Sequence, residues 1–103
     1  MDLDTYLQII RERTTLVYFT AKWCGPCKKI APLFEKIKAE APDYVTCLKI
    51  DVDDSREISE AEEIRSMPTF LFYRSGYLIS TVKGAHDEEL KNNYRALIAL
   101  EEM

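Results

Sequence analysis

Two thiols set three residues apart, in Cys24-Gly25-Pro26-Cys27, are the part of this sequence with evident chemistry. The apolar, β-rich run Thr15 to Thr20 (TLVYFT) just before them reads as a strand, and the pattern after them reads as a helix whose first turn holds the pair. At a helix N-terminus, unpaired N–H groups and the helix dipole favour negative charge. Thiolate rather than thiol is the nucleophile, so this position activates Cys24 by lowering its pKa. Cys27 lies one turn on and on the same face, which brings the two Cβ atoms close to the roughly 3.5–4.5 Å that a disulfide requires. Gly25 and Pro26 keep the turn tight, Pro26 by fixing φ and giving up a donor that would be unpaired anyway. Such a pair can open to a dithiol and close again without large backbone motion. Lys22, Lys28 and Lys29 either add positive charge to the site or form a plain solvated face, since exposed charges act weakly. The competing use of C-x-x-C is half of a zinc site. Zinc usually wants four ligands, and the other candidates are Cys47, in a predicted buried strand, and His86, well downstream. With a strand before it and Trp23 beside it, the pair reads as redox chemistry with no metal.

The rest of the composition bounds where that chemistry operates. A chain of 103 residues has room for one domain, residues 1–103, around one core. Its 47 % hydrophobic and 31 % charged residues are those of an ordinary globular protein. A net charge of -4 argues against a nucleic-acid partner, which a basic face would bind. No apolar stretch approaches the roughly 20 residues of a membrane span. The acidic start Met1-Asp2-Leu3-Asp4 lacks the basic region and apolar run of a secretory signal, so the expected compartment is the reducing cytoplasm. Three cysteines are too few for a disulfide framework, and in a reducing compartment a close pair is catalytic or metal-binding rather than structural.

The elements that must position the pair follow from periodicity. Leu3, Tyr6, Leu7 and Ile10 recur at helical spacing. The uninterrupted apolar strand before the cysteines suits a central position covered on both faces. The helix after them carries Ile30, Leu33, Phe34 and Ile37 inward, with Pro32 expected to kink it. Tyr44 to Val52 reads as a second strand. Asp54 and Glu57 have capping-box spacing for a helix from about Ser55, with Ile58, Ala61 and Ile64 facing inward. Thr69 to Tyr73 and Tyr77 to Lys83 read as strands joined across Arg74-Ser75-Gly76. Asp87 can cap a last helix with Leu90, Tyr94, Leu97 and Ile98 on one face. The order α-β-α-β-α-β-β-α predicts an α/β fold: a mixed four-stranded sheet, one parallel pair and one antiparallel hairpin, with helices on both faces.

Over nearly its whole length the chain resembles the thioredoxin family. The resemblance is carried by Phe19 to Pro32 (FTAKWCGPCKKIAP), Asp51 to Asp54 (DVDD), Met67 to Phe70 (MPTF) and Val82 to Ala85 (VKGA), in matching order and spacing. It implies the thioredoxin fold, with Cys24 as nucleophile and Cys27 as resolving cysteine. It implies that Trp23 covers the pair and bonds Asp53, and that Pro68 is a cis-proline lying against the cysteines. It further implies that the Met67 backbone is free to pair with an extended substrate and that Gly84 lets that chain approach; read alone, Gly84 is a bulge in an edge strand.

Three departures qualify the resemblance. Tyr18 stands six residues before Cys24, where the family has a buried Asp that helps move the proton off the resolving thiol. A phenol with an ordinary pKa of about 10 is a poor base at neutral pH. Lys49, the usual partner of that Asp in bacterial members, is retained, to snorkel outward or to favour the Cys27 thiolate directly. The cysteines also arrive about eight residues sooner than in typical members, so the family's first strand is expected to be missing and one sheet edge less protected. Ser66 occupies the position of an extra regulatory Cys in animal cytosolic members, and Cys47 reads as a small core residue instead.

The activity so implied is protein-disulfide reduction by dithiol/disulfide exchange, as an electron carrier in cell redox homeostasis. No nucleotide-binding signature is present, so the implied electron source is a separate NADPH-dependent flavoenzyme, thioredoxin reductase. No bound cofactor beyond the Cys24–Cys27 disulfide is expected, and the protein is expected to be a monomer. Substrates would meet an apolar surface around Trp23, Pro26, Met67 and Pro68. Two rivals stand beside this reading. One is a binding or structural module on the same scaffold with little redox turnover, favoured by Tyr18. The other is an isomerase or oxidase, disfavoured by Pro26 between the cysteines.

Overall fold

The computed structural model describes residues 1–103. Its elements run α1 (Leu3–Glu12), β1 (Thr14–Thr20), α2 (Gly25–Glu40), β2 (Val45–Asp51), α3 (Arg56–Ala61), β3 (Thr69–Arg74), β4 (Tyr77–Lys83) and α4 (Asp87–Glu101). The four strands form one sheet in the order β2-β1-β3-β4, with β1 parallel to β2 and antiparallel to β3, and β3 antiparallel to β4. This is the mixed four-stranded sheet read from the sequence.

Strand β1 is central and all seven of its residues are buried, which is why its sequence lacks polar alternation. Its side chains divide two cores. Leu16 and Tyr18 join Ile30, Phe34 and Ile37 of α2, Phe70 and Phe72 of β3, Val82, and Leu90 and Leu97 of α4. Val17 and Phe19 face the other way, onto Tyr6 and Ile10 of α1, Ile50, Ile58 of α3, Leu71 and Tyr73. Helix pairs α2/α4 and α1/α3 therefore cover opposite faces, and β1 is pinned between them. Helix α2 runs unbroken through Pro32.

Several local readings are corrected. Asp54 does not cap α3: the N-cap is Ser55 with no side-chain bond, and Asp54 lies in a turn at the strand end where Asp51 Oδ1 accepts the amides of Asp53 (2.9 Å) and Asp54 (3.3 Å). In this short helix Ser59 is buried beside Ile58, while Ala61 is exposed. Asp87 is the first residue of α4 rather than its cap; with Glu88 and Glu89 it puts three carboxylates in the first turn, where the dipole favours them. Strand β2 lies at a sheet edge, so Cys47 is half-buried against the α2/α4 core rather than enclosed by it. The β3–β4 connection is a two-residue turn, Ser75 (φ 50°) and Gly76 (φ 84°), both left-handed as a type I′ hairpin requires. The register shift in this hairpin falls at Phe72/Tyr73, and Gly84 lies beyond the end of β4 rather than in a bulge.

Polar ties lock the layers. Tyr6 and Tyr73, from α1 and β3, both donate their hydroxyls to the Glu62 carboxylate at the end of α3. On the opposite face of the sheet Glu101 of α4 accepts from Thr14 and from Arg74 Nε (3.0 Å). Burial first, and the bond to Glu62 second, push the Tyr6 and Tyr73 phenols above their ordinary value of 10.0. The folded chain thus keeps protons that the unfolded chain would release above pH 10. The contribution of these two phenols to stability is predicted to be level below that pH and to fall above it, by about 1.4 kcal/mol per pH unit for each phenol held. Urea unfolding across that range should show the fall, and Tyr73→Phe should make it shallower; an equal slope in the variant would contradict the assignment.

Candidate active site

The site begins where β1 stops. After Thr20 the chain turns, Cys24 N donating to Ala21 O at 3.1 Å, and Cys24 becomes the N-cap of α2. Its sulfur takes the role a Ser or Asp oxygen usually fills: Cys24 Sγ accepts the Cys27 backbone N–H at 3.1 Å. Cys24 and Cys27 are joined as a disulfide with Cα atoms 5.3 Å apart, inside the ordinary range for that bond. Gly25 and Pro26 form the exposed outer edge of the turn, with Pro26 where a missing N–H costs nothing. When the disulfide opens, a thiolate at Cys24 meets the Cys27 N–H and the positive end of a 16-residue helix.

Around the sulfurs the surface is small and mostly apolar. Ala21, Val52 and Met67 pack against the pair. Trp23 stands beside it, 67 % exposed, with its indole Nε1 donating to Asp53 Oδ2 at 2.9 Å. The Met67–Pro68 peptide is cis and Pro68 is buried. Pro68 O accepts Gly84 N at 2.8 Å, whereas no turn, loop or cap bond engages the Met67 peptide. Gly84 has φ +98°, and a Cβ there would fall 2.8 Å from His86 Nε2, so any side chain would meet both backbone strain and a ring.

Behind the cysteines, Tyr18 is 1 % exposed. It stacks on Phe70 (centroids 4.9 Å apart, planes 11° from parallel), leans on Phe34 (4.8 Å), and donates its hydroxyl to Cys27 O at 3.0 Å. Burial pushes its phenol up, Thr20 opposes this, and the Glu35 carboxylate adds to it. Tyr18 is therefore no base at neutral pH; it holds the backbone of Cys27 in place. Lys49 pairs with Tyr18 in the β1/β2 register, is exposed, and rims the same groove that reaches Cys27. Pointing outward and lying near Cys27 are thus compatible.

The Tyr18 bond to Cys27 O, the Asp51 turn and the His86 ring over Gly84 were not read from the sequence. Only the Asp51 turn had a signal, a carboxylate two and three residues before the amides it takes. No group of three His, Cys, Asp or Glu side chains is gathered that could hold a metal ion.

Comparison with known proteins bears on the whole chain. The sequence model of the thioredoxin family, described as Thioredoxin, matches residues 2–96. The chain is 42 % identical over 95 residues to a thioredoxin of Geodia cydonium, covering 91 % of this chain and 89 % of that protein. It is 46 % identical over 81 residues to a thioredoxin of Ictalurus punctatus, covering 78 % and 76 %. The crystal structure of thioredoxin from Trypanosoma brucei brucei superposes with a TM-score of 0.87 at 36 % identity, over 95 % of this chain and 87 % of that one.

The third thiol supplies a contrast. Burial pushes Cys47 up to about 11, with Lys38 opposing and Glu35 adding. In the oxidised protein Cys47 is the only free thiol. Its alkylation at pH 8 is predicted to be at least about tenfold slower in the folded protein than in urea, because so little of it is thiolate. Equal rates would show that the thiol is not held protonated by burial.

Proposed function

The chain belongs to the thioredoxin family and is a thiol–disulfide oxidoreductase, a protein-disulfide reductase; from this premise we propose how its residues divide the work. Cys24 thiolate attacks one sulfur of a partner's disulfide, forming the Cys24–partner bond and releasing the partner's other sulfur as a thiolate that takes a proton. Cys27 then loses its proton and attacks Cys24 Sγ, closing the Cys24–Cys27 disulfide and releasing the second partner thiol. Two electrons leave the protein with each partner disulfide opened. The observation that carries this reading is the disulfide seated on the first turn of α2, with Cys24 Sγ receiving the Cys27 N–H.

In this reading Trp23, Pro26 and Met67 form the platform a substrate meets. The free Met67 peptide pairs with its extended chain, in the manner of strand addition, and Gly84 leaves that chain room. The Trp23–Asp53 bond fixes the indole. Lys49 favours the Cys27 thiolate from the groove rim, and Tyr18 positions Cys27 but takes no proton, so resolution is slow. The resulting disulfide is reduced by an NADPH-dependent flavoenzyme, thioredoxin reductase. The protein works in the cytoplasm as a monomeric domain of residues 1–103.

The test is insulin reduction with dithiothreitol. Wild type should accelerate it, Cys24→Ser should not, and Cys27→Ser should accumulate a covalent adduct with the substrate. A wild type no faster than either variant would contradict the proposal. In single turnovers, Tyr18→Asp should speed resolution by about tenfold or more, below the 10²–10⁴ of a well-placed base; an unchanged rate in a folded variant would show that proton removal does not limit that step.

A further inference from the structure

A groove of about 220 Å³ opens beside Cys27, built from the ends of β1 and β2 and the first turns of α2. Its floor is Tyr18, Ala21 and Ala31, and its charged rim is Lys22, Lys28 and Lys49 with Asp51. All three lysines are exposed. None is in an ion pair, since the chain's two ion pairs are Arg74–Glu101 and Lys91–Glu88. Of the carboxylates nearby, Asp51 Oδ1 accepts the amides of Asp53 and Asp54 and Asp53 accepts the Trp23 indole, while Glu35 acts on Tyr18 from outside the groove's lining. Three ammonium groups outside any ion pair therefore stand against one carboxylate in the lining of this groove beside the redox site, on a chain whose net charge is -4.

We propose that this groove docks an acidic segment of the disulfide-bearing partner, so that Lys22, Lys28 and Lys49 select substrates carrying Asp or Glu near the target disulfide. The proposal rests on the reductase reading above and names its substrate class. Lysine is suited to this use: its ammonium is a compact charge on a flexible stem, able to follow carboxylates of varied geometry. Charge complementarity of this kind acts mainly through the encounter rate and is screened by salt. A cation-rimmed site on an anionic molecule also turns away acidic partners that approach any other face.

The experiment compares two synthetic cyclic disulfide peptides, identical except for Glu or Lys residues flanking the cysteines, in single-turnover reduction by the reduced protein. At low ionic strength the Glu peptide is expected to react about tenfold faster, with the ratio falling toward one in high salt. Lys22→Glu/Lys28→Glu, at two exposed positions, should reverse the preference. Because each protein is judged by its own Glu-to-Lys ratio, any general change in Cys24 reactivity cancels. Equal reduction of the two peptides by a wild type that reduces insulin would overturn the docking proposal and leave the reductase reading standing. An unchanged ratio in the double variant would overturn it as well. A wild type that reduces neither peptide nor insulin would remove the premise itself.

Discussion

One contact organises this molecule: the backbone N–H of Cys27 directed at the sulfur of Cys24. It exists because α2 begins at that residue, and it matters because a helix start offers unpaired donors and a positive dipole end to whatever is placed there. Most N-caps put a neutral or carboxylate oxygen in that position. Here a sulfur occupies it, so the group that completes the helix is also the group that must carry negative charge. The same N–H that satisfies the cap in the oxidised state is in place to stabilise a thiolate when the bond opens.

The rest of the fold fixes where that helix starts. Strand β1 is buried on both faces and locked in register with β2 and β3, so its last residue cannot drift. Ile30, Phe34 and Ile37 sink the helix into the core beneath. Tyr18 then links the two, stacking within that core while its hydroxyl reaches Cys27 O. A carboxylate in its place would be costly to bury as an ion, and for the same reason would be an effective proton acceptor. This chain fills the position with an aromatic ring, which gains packing and a backbone bond and gives up the base. Stability and proton transfer make opposite demands on that one residue.

How much of this is legible in the sequence depends on whether the signal is periodic. The central strand, the amphipathic helices and the hairpin follow from apolar spacing, because burial of a face imposes a repeat. The cysteine pair follows from a spacing of three at a strand-to-helix junction. What escaped were choices between near-equal local partners. Asp51 took the Asp54 amide that the Asp54–Glu57 spacing assigned to the Glu57 carboxylate, and His86 rather than Asp87 is the N-cap residue of α4. Cys47 escaped for a different reason: strand order, not strand content, puts β2 at an edge, and a sequence pattern carries no strand order. The Tyr18 hydroxyl bond lies beyond any pattern, since it joins a side chain to a carbonyl nine residues away across the strand–helix turn.

The most direct test of the account is the ionisation of Cys24 in the reduced Cys27→Ser protein, which keeps the backbone N–H at the capping position. Thiolate absorbance followed against pH should show Cys24 ionising below the roughly 8.5 of a free cysteine, well apart from Cys47 at about 11. A Cys24 transition at or above the free value would mean that the helix start does not stabilise the anion, and the explanation of reactivity built on it would be wrong.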